Sequence, residues 1–178
     1  MAENQKLTIK NARLSYVTLF EPRAVVEGGP LFYSVSVIIP KDSKETINEF
    51  NKAVKKIIDE QKWSSSAKKS ADLALRDGDD ERPDDAAYRN CYFINAKSNK
   101  KPRVVDRAIQ DIDDPDKIYS GCYGNVLISL YPFDKGGNKG VGVGLRAVQF
   151  VADGEPLGSV VSDDEFENFE EAIDEDFI

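Results

Sequence analysis

The sequence predicts a mainly β, barrel-like domain carrying helical insertions, and three observations predict it. Phe32 to Ile39 alternates strictly, with Tyr33, Val35, Val37 and Ile39 on one face and Ser34 and Ser36 on the other, the period of a half-buried strand. Cys122 to Phe133 and Gly140 to Val151 are strand-like runs around the glycine-rich stretch Asp134 to Asn138, which reads as a hairpin. The single substantial helical pattern lies early in the chain, and there is no β–α alternation of the kind that builds a parallel sheet. Five or six strands with one early helix fit a small barrel.

In chain order, Leu7 to Tyr16 reads as a first strand with a break near Asn11, followed by a loop at Phe20-Glu21-Pro22-Arg23. Glu27-Gly28-Gly29-Pro30 is a turn, and Pro40 ends the strand that follows it. From about 42 to 62 the spacing predicts a helix: Asp42 is placed to cap it with Glu45 as reciprocal partner, and Ile47, Phe50, Val54, Ile57 and Ile58 form the core-facing stripe. Ser64 to Ala87 is read as irregular, with a polar, turn-rich insertion at Arg76 to Asp85. Tyr92 to Lys97 is a strand, Ser98 to Pro102 its loop, Val104-Val105 a short strand, and Asp111 to Asp116 an acidic turn. Gly154 to Gly158 closes the body, giving a domain over 1–160 and a separate tail over 161–178.

Composition narrows the chemistry. A chain of 178 residues, 40 % of them hydrophobic, is sized for one domain with a real core. There is no histidine, which excludes a histidine-based triad and a histidine-containing zinc site. Cys91 and Cys122 both sit in apolar runs and are expected to be reduced, half-buried thiols. No apolar run is long enough to cross a bilayer, and Met1 to Lys6 lacks the apolar centre of a signal peptide, so a cytoplasmic protein is expected.

The charge is concentrated at one end. Asp163 to Ile178 holds nine carboxylates and no Lys or Arg, with Phe166, Phe169, Ile173, Phe177 and Ile178 set between them. Of the chain's net −8, this segment carries more than all: the remainder has 23 acids against 24 bases. So dense an acidic block repels itself and is expected to be disordered. Phe166, Phe169, Ile173 and Phe177 would share one face of a helix formed on a partner. The tail therefore reads as an acidic lure that competes with a polyanion and docks on partner proteins through Phe166, Phe169, Asp174, Glu175, Asp176 and Phe177; a plain solubilising terminus is the alternative.

Single-strand binding needs cations for phosphates and flat side chains on which bases stack. Lys97, Lys100, Lys101, Arg103 and Arg107 follow directly on Tyr92 and Phe93; Tyr131 and Phe133 end a strand beside Lys135 and Lys139; Arg13 and Tyr16 lie together on the first strand. Gly140, Gly142 and Gly144 fall on one strand face, a bare stripe that a backbone could approach or that could mark a barrel bend. Two other patterns are weaker. Asp77, Asp79, Asp80, Asp84 and Asp85 could hold Mg²⁺, but their spacing does not match a calcium loop, and they read as a solvated surface. Gly136-Gly137-Asn138-Lys139-Gly140 lacks the Gly-Lys-Ser/Thr ending of a phosphate loop and leads into a strand.

Longer stretches resemble a family of phage and prophage single-stranded DNA-binding proteins. They are Tyr119-Ser120-Gly121-Cys122-Tyr123-Gly124, Leu130-Tyr131-Pro132-Phe133, Gly137-Asn138-Lys139-Gly140 and Gly154-Glu155-Pro156-Leu157-Gly158, together with Phe20-Glu21-Pro22, Leu75-Arg76-Asp77-Gly78 and Phe93-Ile94-Asn95-Ala96. The resemblance covers essentially the whole body. It implies an OB-fold, a five-stranded Greek-key barrel with an inserted helix, without enzymatic activity and with a role in replication or recombination. The closing Asp174-Glu175-Asp176-Phe177 is similar to the acidic, aromatic-ended tails of proteins that coat single strands, although here Ile178 follows the aromatic.

The expectation is therefore a non-catalytic, sequence-tolerant single-stranded DNA-binding protein, acting in a bacterial host cell or encoded by a prophage, with no cofactor and no metal. Phosphates are assigned to Lys97, Lys100, Lys101, Arg103, Lys135 and Lys139, and bases to Tyr92, Tyr123, Tyr131 and Phe133; Arg13, Tyr16 and Arg107 complete the candidate surface. Replication or recombination proteins are the expected tail partners, and a homodimer is left open. An acidic DNA-mimic inhibitor and a Mg²⁺-dependent nuclease built on Asp77 to Asp85 are the competing readings.

Overall fold

A computed structural model describes residues 5–24 and 26–157; the acidic tail and the contacts assigned to it lie outside the described residues. Seven strands form one sheet: β1 (Gln5–Ala24), β2 (Leu31–Pro40), β3 (Arg76–Asp77), β4 (Cys91–Ser98), β5 (Arg103–Val105), β6 (Tyr123–Lys135) and β7 (Asn138–Ala152). The order is β3-β4-β2-β1-β6-β7-β5, and a parallel pairing of Lys97 with Gly144 joins β4 to β7. That contact closes β1, β2, β4, β7 and β6 into a five-stranded barrel, with β3 and β5 appended to its edges. The expected mainly β, OB-like barrel is what the chain forms.

Strand alternation decides what fills the barrel. Val35, Val37 and Ile39 of β2, Ile94 and Ala96 of β4, Val126, Ile128 and Leu130 of β6, and Val141, Val143 and Leu145 of β7 are all buried in one cluster. Each of the Val, Ile and Leu side chains contributes roughly 1.5–3 kcal/mol on leaving water. Helix α1 (Lys44–Asp59) adds Ile47, Phe50, Val54, Ile57 and Ile58 to the same cluster, the stripe read from its spacing. Its cap differs from expectation. Ser43 is the N-cap and its side chain makes no capping bond, while Asp42 contributes only its backbone carbonyl, to Lys44 N at 2.8 Å. The backbone turn Pro40–Lys44 thus starts the helix without a capping box.

The first strand does not stop at Tyr16. Register breaks between Ile9 and Ala12, where Asn11 takes φ 54°, and again beyond Ser15, where Tyr16 takes φ 48°, yet the strand runs on through Phe20-Glu21-Pro22-Arg23 to Ala24. These breaks, with a third register shift between Thr18 and Arg23, bend one long strand so that its first half pairs with β6 and its second with β2. The stretch read as irregular holds helix α2 (Ser65–Ser70), β3, the single turn α3 (Gly78–Glu81) and a 3-10 turn at Ala86–Tyr88. Local caps explain why so polar a segment is ordered: Ser64 accepts from Ala67 N, Asp77 from Asp79 N and Asp85 from Ala87 N. Both cysteines are free, Cys122 buried and Cys91 half-buried, and burial pushes both thiols up in pKa.

Candidate nucleic-acid interface

Outward-facing residues follow by alternation from the core. On β6 and β7, Leu130 and Val143 point in, so Tyr131 and its pairing partner Gly142 point out, as do Ser129 and Gly144. On β4, Ile94 and Ala96 point in, which leaves Asn95 and Lys97 exposed on the outer face. The Lys97–Gly144 pairing sets these two outer surfaces edge to edge. Toward the start of β4 the barrel splays, and the segment from Asp72 to Arg76 bridges the gap. Asp72 N donates to Lys139 O (3.0 Å) and Val141 N to Asp72 O (2.9 Å), and then Arg76 pairs with Phe93.

The result is a cleft of ≈ 420 Å³ on the outside of the barrel. Asn95 and Lys97 line it from β4, Tyr131, Phe133 and Lys135 from β6, Gly142 from β7, and Arg76 from the bridging segment. The glycine stripe serves the cleft in a specific way. A Cβ on Gly142 would fall 2.5 Å from Tyr131 Cε2, and one on Gly144 2.6 Å from Ser129 Oγ. The Tyr131 ring therefore lies down across β7, where any side chain would lift it. Gly140 has another purpose: the Asp72 backbone crosses it, with Asp72 O 2.7 Å from where a Cβ would be.

Charge in the cleft is unevenly compensated. Arg76 meets Asp72 at 3.6 Å and Glu81 at 3.3 Å. Among the described residues, Lys97 and Lys135 have no acidic partner, while Lys139, at an adjoining hollow shared with Phe133, faces Asp134 at 3.8 Å. Lys97 Nζ also sits 4.9 Å over the ring of Phe32, the outward neighbour of Ser34 on β2, so the cationic surface continues from the cleft onto that strand. In the loop after β4, Lys101 lies 6.0 Å over Phe20, and Lys100 is exposed beside it.

The cleft thus brings together Lys97, Tyr131, Phe133 and Lys135, with Lys139 next door. Other residues assigned to the surface lie elsewhere. Tyr92 faces the core side of β4 and packs against the central cluster, with Lys41 Nζ 5.2 Å over its ring; alternation with outward Phe93 forces this. Arg103 is on β5, three positions along β7 from the Lys97 pairing, and is held by Asp111 at 3.1 Å; Arg107 is in the exposed turn beyond it. Arg13 is tied to two backbone carbonyls, Gly121 O at 3.2 Å and Glu155 O at 2.8 Å, beside Tyr123. Tyr16 meets Arg82 rather than Arg13.

Phe32, Asn95 and Arg76 were not among the expected site residues. For the first two the signal was present: Phe32 shares the Ser34–Ser36 face, and Asn95 stands two residues from Lys97. Arg76 belongs to the family-like stretch Leu75-Arg76-Asp77-Gly78, but nothing there marked it for the cleft, since its place depends on β3 pairing with β4. In the acidic insertion, Asp77 and Asp79 both grip Lys41 Nζ, each at 2.9 Å. Hydrogen bonds to Asp79 and Asp77 raise the Lys41 pKa. Asp77 is lowered mainly by Lys41, and Asp79 first by the Asn90 N–H and then by Lys41. These two carboxylates are committed to holding the insertion to the end of β2, and among the described residues no group of three or more acids or cysteines is arranged to hold a metal.

Comparison with known proteins shows the family and the fold. The family model described as Enterobacter phage Enc34, ssDNA-binding protein, matches residues 5–178. The putative protein p50 of Acyrthosiphon pisum secondary endosymbiont phage 1 is 33 % identical over 185 residues, covering 97 % of this chain and 98 % of that protein. Among solved structures, the single-stranded DNA-binding protein from bacteriophage Enc34 in complex with ssDNA superposes with a TM-score of 0.74 at 23 % identity, over 86 % of this chain and 89 % of that one. The gp2.5 single-stranded DNA-binding protein of bacteriophage T7 gives 0.60 at 15 % identity, over 98 % and 97 %. At these identities the structural likeness is one of fold.

Proposed function

The chain belongs to the phage single-stranded DNA-binding family of the Enc34 protein, and from that premise we propose that its outer cleft binds single-stranded DNA without sequence preference. Tyr131, laid flat over the bare backbone of Gly142, offers its free face to a base, and Phe133 follows two residues on along the same strand. Lys97 and Lys135 take the flanking phosphates. Stacking accepts any base, and lysines contact only the backbone, so the arrangement favours coating over sequence readout. The observation that carries the reading is this one cleft, which joins cations without an acidic partner among the described residues to an aromatic ring with an open face.

On this reading the protein is a binder rather than a catalyst, residues 1–160 are the DNA-binding domain, and it works in the host cytoplasm during phage replication or recombination. The acidic segment 161–178 competes with DNA for the cationic face and, once displaced, presents Phe166, Phe169 and Phe177 to replication or recombination proteins. The charge asymmetry between body and tail supports this. Among the described residues no helix is long and apolar enough to cross a membrane.

Fluorescence anisotropy with labelled single-stranded and duplex oligonucleotides, at two salt concentrations, tests the proposal. Preference for the single strand, weakening as salt rises, is the expected result; a protein that ignores both forms, or cleaves either when Mg²⁺ is added, contradicts it. Removing residues 163–178 should raise affinity at low salt. Equal affinity at every salt would sink the competition.

A further inference from the structure

Tyr16 is the exposed aromatic that the barrel holds least comfortably. It is 57 % exposed and sits in the left-handed region at φ 48°, a conformation uncommon for a bulky residue and costing on the order of 1 kcal/mol or more. Such a residue could fold away or be replaced by glycine at no loss to the core. What keeps it in place is Arg82, whose guanidinium carbon lies 4.8 Å from the Tyr16 ring and whose Nη1 donates to Tyr16 Oη at 3.3 Å.

Arg82 is itself unusual. Its guanidinium is packed at 5.1 Å against both Tyr88 and Phe93, which meet edge to face. Among the described residues no carboxylate pairs with it, although the surrounding insertion is rich in acids, and its buried Nε has no hydrogen-bond partner. A cation held between aromatic rings without a counter-ion, roofed by a tyrosine whose other face is open, has the composition of a nucleotide subsite: a base for the ring and a phosphate for the guanidinium. It also has the right position. Phe93 beneath Arg82 is two places along the outer face of β4 from Asn95 of the cleft, and Arg76, which lines the cleft, pairs with Phe93.

We infer that Tyr16 and Arg82 form a second nucleotide subsite, reached by a strand that leaves the cleft across Asn95. The inference rests on the proposed function and adds what that reading does not assign, a stacking platform on the bulge of β1 with its own phosphate partner on the insertion. It predicts that the contribution of Tyr16 depends on oligonucleotide length.

The test is anisotropy with labelled oligo-dT of about 4 and about 16 nucleotides, the two ends of the range for one such barrel. Tyr16→Ala should weaken the long oligonucleotide roughly 5- to 150-fold, the range one base–aromatic stack carries, and leave the short one unchanged. Tyr131→Ala should weaken both. Tyr16→Phe, which keeps the ring and its contact with Arg82 but loses the hydroxyl bond, should cost the long oligonucleotide far less than Tyr16→Ala. Because Tyr16 is exposed, its replacement leaves the core intact, which thermal unfolding of the variant verifies. Tyr16→Ala without effect on either length, or with the same loss on both, overturns the subsite and leaves the cleft standing. Failure of the parent protein to bind either length removes cleft and subsite together.

Discussion

The two ends of β4 show how one strand face can serve opposite ends. Phe93 and Lys97 are four residues apart and point the same way. Phe93 is 2 % exposed, roofed by Tyr88 and Arg82 from the insertion, while Lys97 stands open at the mouth of the cleft. Alternation gave both residues the same orientation. The chain added between β2 and β4 decided which of them water, or a ligand, can reach. At the covered end, Tyr88 hydroxyl donates to Ser36 Oγ at 2.8 Å and so satisfies a polar group that the roof would otherwise strand on the sheet. At the open end the sheet is left bare and the residue types change to cations and a flat-lying ring. One half of this face is buried under the insertion, and the other is left accessible.

This contrast can be broken from either side. The largest effect is expected at the covered end: Tyr88 is fully buried, and Tyr88→Ala should cost about 3–5 kcal/mol of stability in urea unfolding, as large aromatic truncations do. A loss under about 1 kcal/mol would mean that the roof is loosely attached. At the open end, Tyr131→Ala should weaken single-strand binding by ~1–3 kcal/mol with little change in thermal midpoint. Gly142→Ala should reproduce that loss, in the same direction and to at most the same size, because its methyl would displace the ring without removing it.

Smaller effects sharpen the comparison. Lys97→Ala and Lys135→Ala should each lower the slope of log affinity against log salt by about 0.7, the value for one phosphate on a single strand. Arg103→Ala, held by Asp111 outside the cleft, should leave the slope as it is. The smallest effect concerns the clasp of Lys41 by Asp77 and Asp79. Both carboxylates have pKa values below the ordinary value in the folded protein. Their contribution is therefore present above about pH 4 and is lost as pH falls through the folded values. Melting curves recorded through that acid range should show a steeper decline for the parent than for Lys41→Met.

The barrel was legible because its strands are half buried, and period-two patterns report half burial directly. Tyr131, Phe133 and Lys135 could be grouped because they share one hairpin arm. Lys97 joined them because the parallel β4–β7 closure happens to bring it there, which no local pattern shows. Grouping by nearness in the chain failed where the topology separates neighbours. Arg103 follows Lys97 by six residues but belongs to β5, and Arg13 is claimed by the carbonyls of Gly121 and Glu155, both more than 100 residues away. Tyr16 was grouped with Arg13 by nearness on the first strand, but its left-handed backbone turns it to Arg82.

The central claim is that unpaired bases lie on the outer cleft, and photo-crosslinking reads it most directly. An oligonucleotide carrying 5-iodouracil, irradiated in complex with the full chain and mapped by mass spectrometry, should attach to Tyr131 or Phe133. Attachment confined to aromatics outside the cleft, such as Tyr119 or Tyr123, would contradict it.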